Sequence, residues 1–154
     1  MENPLILTIL ADHLYRRKTT LPADTDLSAL AGLSRLHQVD GIVYMQCGFP
    51  PVPSMAEAYS AATFYYANRT RLMAKIAAAL TEQEIPFFTV KGLNVAKYYP
   101  VPALRTMSDC DIVVPPEHMN AAVDSVKVPR LTVAYIFVQY KGLILCQNAD
   151  SVDT

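Results

Sequence analysis

The sequence predicts an α/β protein of the α+β type, with a helical N-terminal region followed by a small mixed β-sheet. Apolar residues recur at helical spacing over most of residues 1–84. Two short apolar runs, Ile85–Val90 and Ile112–Val114, have the length and composition of buried strands. A glycine turn, a short helical pattern and a loop containing proline separate the two runs. The order is therefore helices first, and then strand, turn, helix, loop and strand.

Capping residues mark two of the predicted helices in the N-terminal region. Asp26 is the predicted N-cap of a helix over Leu27–His37. Ser54 and Glu57 have the spacing of a capping box, which opens the longest predicted helix, about residues 55–84. Between these helices, the short apolar segment 41–47 fits either a helix or a strand.

The long helix carries side chains that could serve a nucleotide. Arg69 and Arg71 could reach a phosphate, although a solvated face or a local ion pair is the favoured interpretation. Phe64, Tyr65 and Tyr66 could stack on a base, but packing in the core is favoured for them.

The C-terminal part of the chain changes character after residue 128. A helix is predicted over Glu117–Val126, and the runs Leu131–Val138 and Leu143–Cys146 are rich in strand-forming residues, with a possible turn at 140–142. Residues 148–154 resemble a loose tail. The predicted organisation is a helical region, 1–84, and a sheet region, 85–154, of which 128–154 is atypical.

Composition limits the function classes. The chain has 154 residues, of which 52% are hydrophobic and 18% charged, as expected for one compact domain or a domain with a helical extension. Its formal net charge of −1 argues against strong bulk binding of nucleic acid, which normally requires a basic surface.

The cysteines and the apolar runs indicate a reducing, aqueous environment. Cys47, Cys110 and Cys146 are odd in number and irregularly spaced, so that buried thiols are favoured over a disulfide framework or a metal motif. We find neither a signal-peptide pattern nor an apolar run of about 18 residues. The expected location is the cytoplasm, without membrane insertion.

The strongest chemical signal is a pair of aspartates at the start of the second predicted strand. Side chains alternate along a strand, so Asp109 and Asp111 lie on one face, about 7 Å apart. Such a pair favours a hard divalent cation, and Mg²⁺ typically takes one or two carboxylates together with substrate phosphates. Gly92 lets the backbone approach a phosphate, while Lys91 and Arg105 supply counter-charges. Taken alone, Asp-x-Asp is also common at solvated strand ends and helix caps.

The combination of these features resembles one family. The order of a strand, Lys-Gly, a helix, an arginine and then Asp-x-Asp before an apolar run is similar to the nucleotidyltransferase superfamily with the DNA polymerase β-like palm, in its poorly characterised bacterial branch. The resemblance is specific over residues 85–114. The residues that carry it are Lys91, Gly92, Tyr99, Pro100, Arg105, Asp109 and Asp111.

The resemblance implies a function and a set of roles. It implies transfer of a nucleoside monophosphate from a nucleoside triphosphate (NTP) to an acceptor hydroxyl on a small molecule, a protein or an RNA. Asp109 and Asp111 would hold Mg²⁺ or Mn²⁺, Lys91 and Gly92 would line the phosphate site, and Arg105 would steady the triphosphate or orient the second strand. It also implies that the two strands pair antiparallel.

The sequence departs from the family pattern after the second strand. The family uses a third carboxylate on a later strand, yet neither Asp nor Glu occurs between Asp124 and Asp150. A truncated or altered C-terminus would explain this, and the expectation is then a partial palm with impaired transfer. The alternative is a catalytically inactive module that binds nucleotide or another protein.

Overall fold

The computed structural model describes residues 4–107, 110–126, 131–136 and 143–148. Helices dominate this part of the chain, and the α+β class is confirmed. The helices are α1 (Pro4–Leu14), α2 (Leu27–Leu36), α3 (Asp40–Gln46), α4 (Pro53–Glu82), α5 (Gly92–Ala96) and α6 (Met119–Ser125). The strands are β1 (Phe88–Val90), β2 (Cys110–Val113), β3 (Leu131–Ile136) and β4 (Leu143–Asn148), and short 3₁₀ turns occupy Pro102–Leu104 and Pro116–His118.

Local sequence signals predicted the starts of the helices with mixed accuracy. The cap of α2 is confirmed, because Oδ1 of Asp26 accepts hydrogen bonds from the backbone N–H groups of Ser28 and Ala29, both at 2.9 Å. The segment predicted as either a helix or a strand forms α3, which ends at Gln46 with Cys47 as its C-cap. The capping-box prediction is wrong, because α4 begins at Pro53 and Ser54 therefore lies inside the helix rather than before it.

The chain divides into two compact units: Met1–Ala67 with Ala96–Thr106, and Asn68–Val95 with Met107–Thr154. The first unit is helical. Its core contains apolar side chains from α1, α2, α3 and the start of α4, namely Ile6, Ile9, Leu30, Ala31, Val43 and Met55. Cys47 packs at the edge of this core, and burial raises the pKa of its thiol to about 11. The division at residue 84 made from the sequence stays a prediction.

The second unit contains the sheet, the whole of α6 and the C-terminal part of α4. Met73, Ile76 and Leu80 of α4 recur at spacings of three and four residues, which places them on one face of the helix. They share a buried core with Ile112 of β2 and with Ala122 of α6. Ile112 of β2 therefore faces this core, and strand alternation places Asp111 on the opposite face of the sheet.

The sheet has the strand order β1-β2-β4-β3, and its three pairings are all antiparallel. The antiparallel pairing of β1 with β2 is confirmed, with Val90 opposite Asp111 and Phe88 opposite Val113. The described strands are antiparallel throughout, where a mixed sheet was predicted. The chain leaves the C-terminal end of β1 and starts β2 beside that same end, so β2 runs in the opposite direction. The predicted turn at 140–142 and residues 149–154 of the predicted tail lie outside the described residues, whereas Asn148, predicted as the first residue of that tail, is the last residue of β4.

The exposed aromatic residues of α4 correct the predicted packing of this helix. Phe64 is 63% exposed and Tyr65 is 47% exposed, and their rings contact each other edge to face with centroids 6.0 Å apart. The prediction that they pack in the core is therefore wrong. Within the described ranges, the structure contains no helix with the length and apolar character needed to cross a membrane.

Candidate functional site

The candidate site begins at the turn that follows β1. Lys91 and Gly92 both adopt left-handed backbone conformations, with φ values of +54° and +44°. Glycine enters this region without steric cost, whereas a residue with a Cβ atom does so only when its surroundings stabilise it. Lys91 is therefore held in a conformation that its own side chain disfavours.

Asn94 supplies hydrogen bonds that close this turn. Its backbone N–H donates to the carbonyl oxygen of Lys91 at 2.9 Å. Its side-chain amide donates to the carbonyl oxygen of Thr89 at 2.5 Å and to the Thr89 hydroxyl at 2.6 Å. The start of α5 is thereby tied back to β1 across the Lys91-Gly92 turn.

Asp111 of β2 lies opposite the end of β1, as its pairing with Val90 requires. The residue is only 3% exposed, and its Oδ2 lies 3.4 Å from Nζ of Lys91. Among the described residues, Oδ1 of Asp111 has no hydrogen-bond partner. The carboxylate therefore has one oxygen paired with a cation and the other open.

An open, buried carboxylate oxygen is unfavourable unless something else satisfies it. Burial of an ionised group costs free energy that pairing and hydrogen bonds must offset. Lys91 offsets part of this cost, although its amine is largely in solvent and the pair is correspondingly screened. Carboxylate oxygens are the ligands that Mg²⁺ and Mn²⁺ prefer, so Oδ1 of Asp111 fits a divalent cation.

Arg69 connects the middle of α4 to the segment that leads into β2. Its guanidinium group donates a hydrogen bond to the carbonyl oxygen of Met107. The sequence favoured a solvated face or a local ion pair for this arginine; the structure gives it intermediate burial and a backbone contact 38 positions away. Arg71, on the same helix, is exposed.

The predicted site residues have different outcomes. Lys91, Gly92 and Asp111 all belong to the second unit, and the structure pairs Lys91 with Asp111. Arg105 belongs to the first unit, where it follows the 3₁₀ turn at 102–104. Asp109 lies outside the described residues, so its place beside Asp111 stays a prediction. Among the described residues, no three His, Cys, Asp or Glu side chains form a cluster suited to a metal ion.

Asn94 was missed by the sequence interpretation. The available signal was an asparagine three positions after the lysine of the Lys-Gly turn and five positions after a threonine in a strand. Asparagine commonly satisfies backbone groups in turns, but which groups it reaches depends on the φ values of the intervening residues.

Comparison with known proteins identifies the class of this chain. The family model described as "Uncharacterised nucleotidyltransferase" matches residues 23–127, which is well over half of the sequence. The chain therefore belongs to this nucleotidyltransferase family. Neither the curated proteins nor the solved structures contain a significant match.

Proposed function

We propose that the chain transfers a nucleoside monophosphate from an NTP to an acceptor hydroxyl in a reaction that depends on Mg²⁺ or Mn²⁺. Membership of the nucleotidyltransferase family supports transfer at the general level. The observation that carries the finer proposal is the Asp111 carboxylate, which is buried, has one oxygen open and lies beside the Lys91-Gly92 turn. A hard cation and a phosphate are the ligands that such a combination favours.

Asp111, together with Asp109, is the proposed holder of the cation. A divalent ion in such a site neutralises phosphate charge and stabilises the entering and leaving oxygens of a phosphoryl transfer. Burial strengthens this arrangement, because the attraction between a carboxylate and a cation is less screened when protein rather than water surrounds the carboxylate. Asp111→Asn keeps the shape of the side chain and removes its charge, which makes it the direct test of this role.

Lys91 and Gly92 are the proposed phosphate contacts. An ammonium group has three donors, so Lys91 can keep its contact with Asp111 while its other N–H groups reach phosphate oxygens. Its side chain is 74% exposed, which leaves those donors accessible to a ligand. Gly92 carries no Cβ atom, so a phosphate can approach its backbone closely. For Arg105, which belongs to the first unit, the proposed role of steadying the triphosphate or orienting β2 rests on the family resemblance.

The acceptor is proposed only at the level of a hydroxyl on a small molecule, a protein or an RNA. The experiment incubates the purified chain with each α-³²P-labelled NTP, Mg²⁺ or Mn²⁺, and separate pools of small molecules, proteins and RNA. Label in a product, with release of pyrophosphate, identifies both the transferred nucleotide and the acceptor class.

Matched variants decide whether this site performs the transfer. We expect Asp111→Asn and Asp109→Asn to lower the rate about 100-fold or more, as is typical when a group that stabilises the transition state is lost. Asp24→Asn removes an exposed aspartate of the first unit and is the control. Transfer that survives in Asp111→Asn at the control rate contradicts the proposal. Binding of NTP without a labelled product supports the alternative of an inactive nucleotide-binding module.

A further inference from the structure

We infer that Asn94 is a positioning residue, which holds Lys91 in the left-handed conformation that directs its amine towards Asp111. The effect of Asn94 on nucleotide binding rests on the proposed function, but its effect on the backbone conformation of Lys91 can be tested alone. Asn94 contacts neither charged group of the pair in the described structure. It acts through the backbone that carries Lys91.

The strained residue is the starting point of this inference. Lys91 has φ +54°, although it has a Cβ atom that disfavours this region. Non-glycine residues stay in such conformations only when the surrounding structure over-determines them, and these residues are concentrated at functional sites. Lys91 forms the ion pair with Asp111, so its strained backbone and its charged contact belong to the same residue.

Three hydrogen bonds from Asn94 supply the constraint. The bond from its backbone N–H to the Lys91 carbonyl fixes the peptide that leaves Lys91. The bonds from its side-chain amide to the Thr89 carbonyl and hydroxyl fix the chain before Lys91. Lys91 is therefore held on both sides by one residue.

The pairing of the strands transmits this constraint to the carboxylate. Val90 precedes Lys91 directly and is the register partner of Asp111. Thr89, which accepts two hydrogen bonds from the Asn94 amide, is the register partner of Ile112. Ile112 is buried in the core of the second unit. The position of Lys91 relative to Asp111 is thus set by the core on one side and by Asn94 on the other.

The hydrogen bonds of the Asn94 amide favour a positioning role for this residue over direct contact with a substrate. An asparagine amide has two N–H donors, and Asn94 directs hydrogen bonds to two acceptors on Thr89. With its donors engaged in this way, Asn94 contributes to nucleotide binding through Lys91.

The first test measures the conformation of Lys91 in the isolated chain. Three-bond couplings and Cα chemical shifts from ¹⁵N,¹³C-labelled protein report φ at Lys91 in the unaltered chain and in Asn94→Ala and Asn94→Leu. We expect the positive-φ signature to be lost in both variants and kept in Asn120→Ala, which removes an exposed asparagine of α6. A Lys91 that keeps positive φ in both Asn94 variants overturns the inference. If these variants do not fold, Asn94→Asp, which keeps the shape of the side chain and removes both N–H donors, replaces them and is judged by the same criterion.

The second test asks whether Asn94 acts through Lys91. Binding of a non-hydrolysable NTP is measured with Mg²⁺ for Asn94→Ala, Lys91→Met and the double variant. We expect the dissociation constant to rise about tenfold in each single variant and no further in the double variant, because the two changes remove one shared contact. Additive effects overturn the inference. If the unaltered chain binds no NTP, the proposed function fails, and the coupling measurement at Lys91 still decides the role of Asn94.

Discussion

Asp111 and Lys91 are charge partners with very unequal access to water. The side chain of Asp111 is 4% exposed, whereas that of Lys91, 3.4 Å away, is 74% exposed. The lysine is thus the solvent-facing partner of a buried carboxylate. In the proposed site, the amine would be the first group that a phosphate approaching from solvent meets, and its contact with Asp111 orients it.

Replacement of the amine tests this arrangement. We expect Lys91→Met to weaken binding of an NTP about tenfold or more, since one charge-assisted contact to phosphate is lost. The salt dependence of binding should fall as well, because fewer charges are neutralised on association. Isothermal titration at two ionic strengths measures both effects. Lys75→Met removes an exposed lysine of α4 in the same unit and should leave affinity unchanged; equal affinities for the two variants contradict the role of Lys91.

Removal of the charge of Asp111 should affect metal binding most when nucleotide is present. Two carboxylates leave most of the coordination shell to water and phosphate, so Mn²⁺ should bind weakly alone and more tightly with NTP. We expect Asp111→Asn to abolish the enhancement by NTP. Electron paramagnetic resonance of free Mn²⁺ measures it, with Asp24→Asn as the control. An enhancement of the same size in Asp111→Asn would place the cation elsewhere.

The helix cap at Asp26 and the pairing of β1 with β2 were predictable from the sequence, whereas contacts that depend on tertiary packing were not. The cap at Asp26 was predictable because it depends on residues two and three positions away. The antiparallel pairing of β1 with β2 followed from the resemblance. The burial of Asp111 was not predictable, because strand alternation fixes the face of a side chain but not what covers that face. The contact between Arg69 and Met107 joins positions too far apart for any local rule.

The error at Phe64 and Tyr65 has a related cause. Apolar spacing identifies a stripe along a helix, but it does not show which part of the stripe has a partner. In α4 of 30 residues, the buried apolar residues of the second core are Met73, Ile76 and Leu80, while Phe64 and Tyr65 remain exposed. The spacing of apolar residues along a long helix therefore does not predict which of its aromatic residues are buried.

The core of the second unit supplies a stability prediction. Leu80 is fully buried with 0% exposure, so truncation to alanine removes apolar contacts and leaves a cavity. We expect Leu80→Ala to lower the free energy of unfolding by about 2–5 kcal/mol. Leu36→Ala is the matched control, since Leu36 is 74% exposed and its truncation should cost less than about 0.5 kcal/mol. Urea denaturation followed by circular dichroism measures both, and equal midpoints for the two variants would contradict the assigned core.

Burial of His13 predicts how stability changes in acid. His13 is 2% exposed, and among the described residues its Nε2 has no hydrogen-bond partner. Burial lowers the pKa of His13 below its ordinary value of 6.5; the neighbouring side chain of Gln46 opposes this shift and the positive charge of Arg16 adds to it. The unfolded chain therefore takes up a proton at a higher pH than the folded chain does.

The sign of the pH effect follows from this difference. Well above pH 6.5 both states carry a neutral imidazole, and His13 adds no slope to stability. As the pH falls below 6.5, the unfolded state binds more protons than the folded state, so the free energy of unfolding declines until the lower folded-state pKa is passed. Urea midpoints at pH 7.5 and 5.0 measure the decline. We expect it to be smaller in His13→Gln, which cannot titrate, and unchanged in His37→Gln, which removes an exposed histidine at the end of α2; an equal decline in both variants would assign the acid sensitivity to other groups.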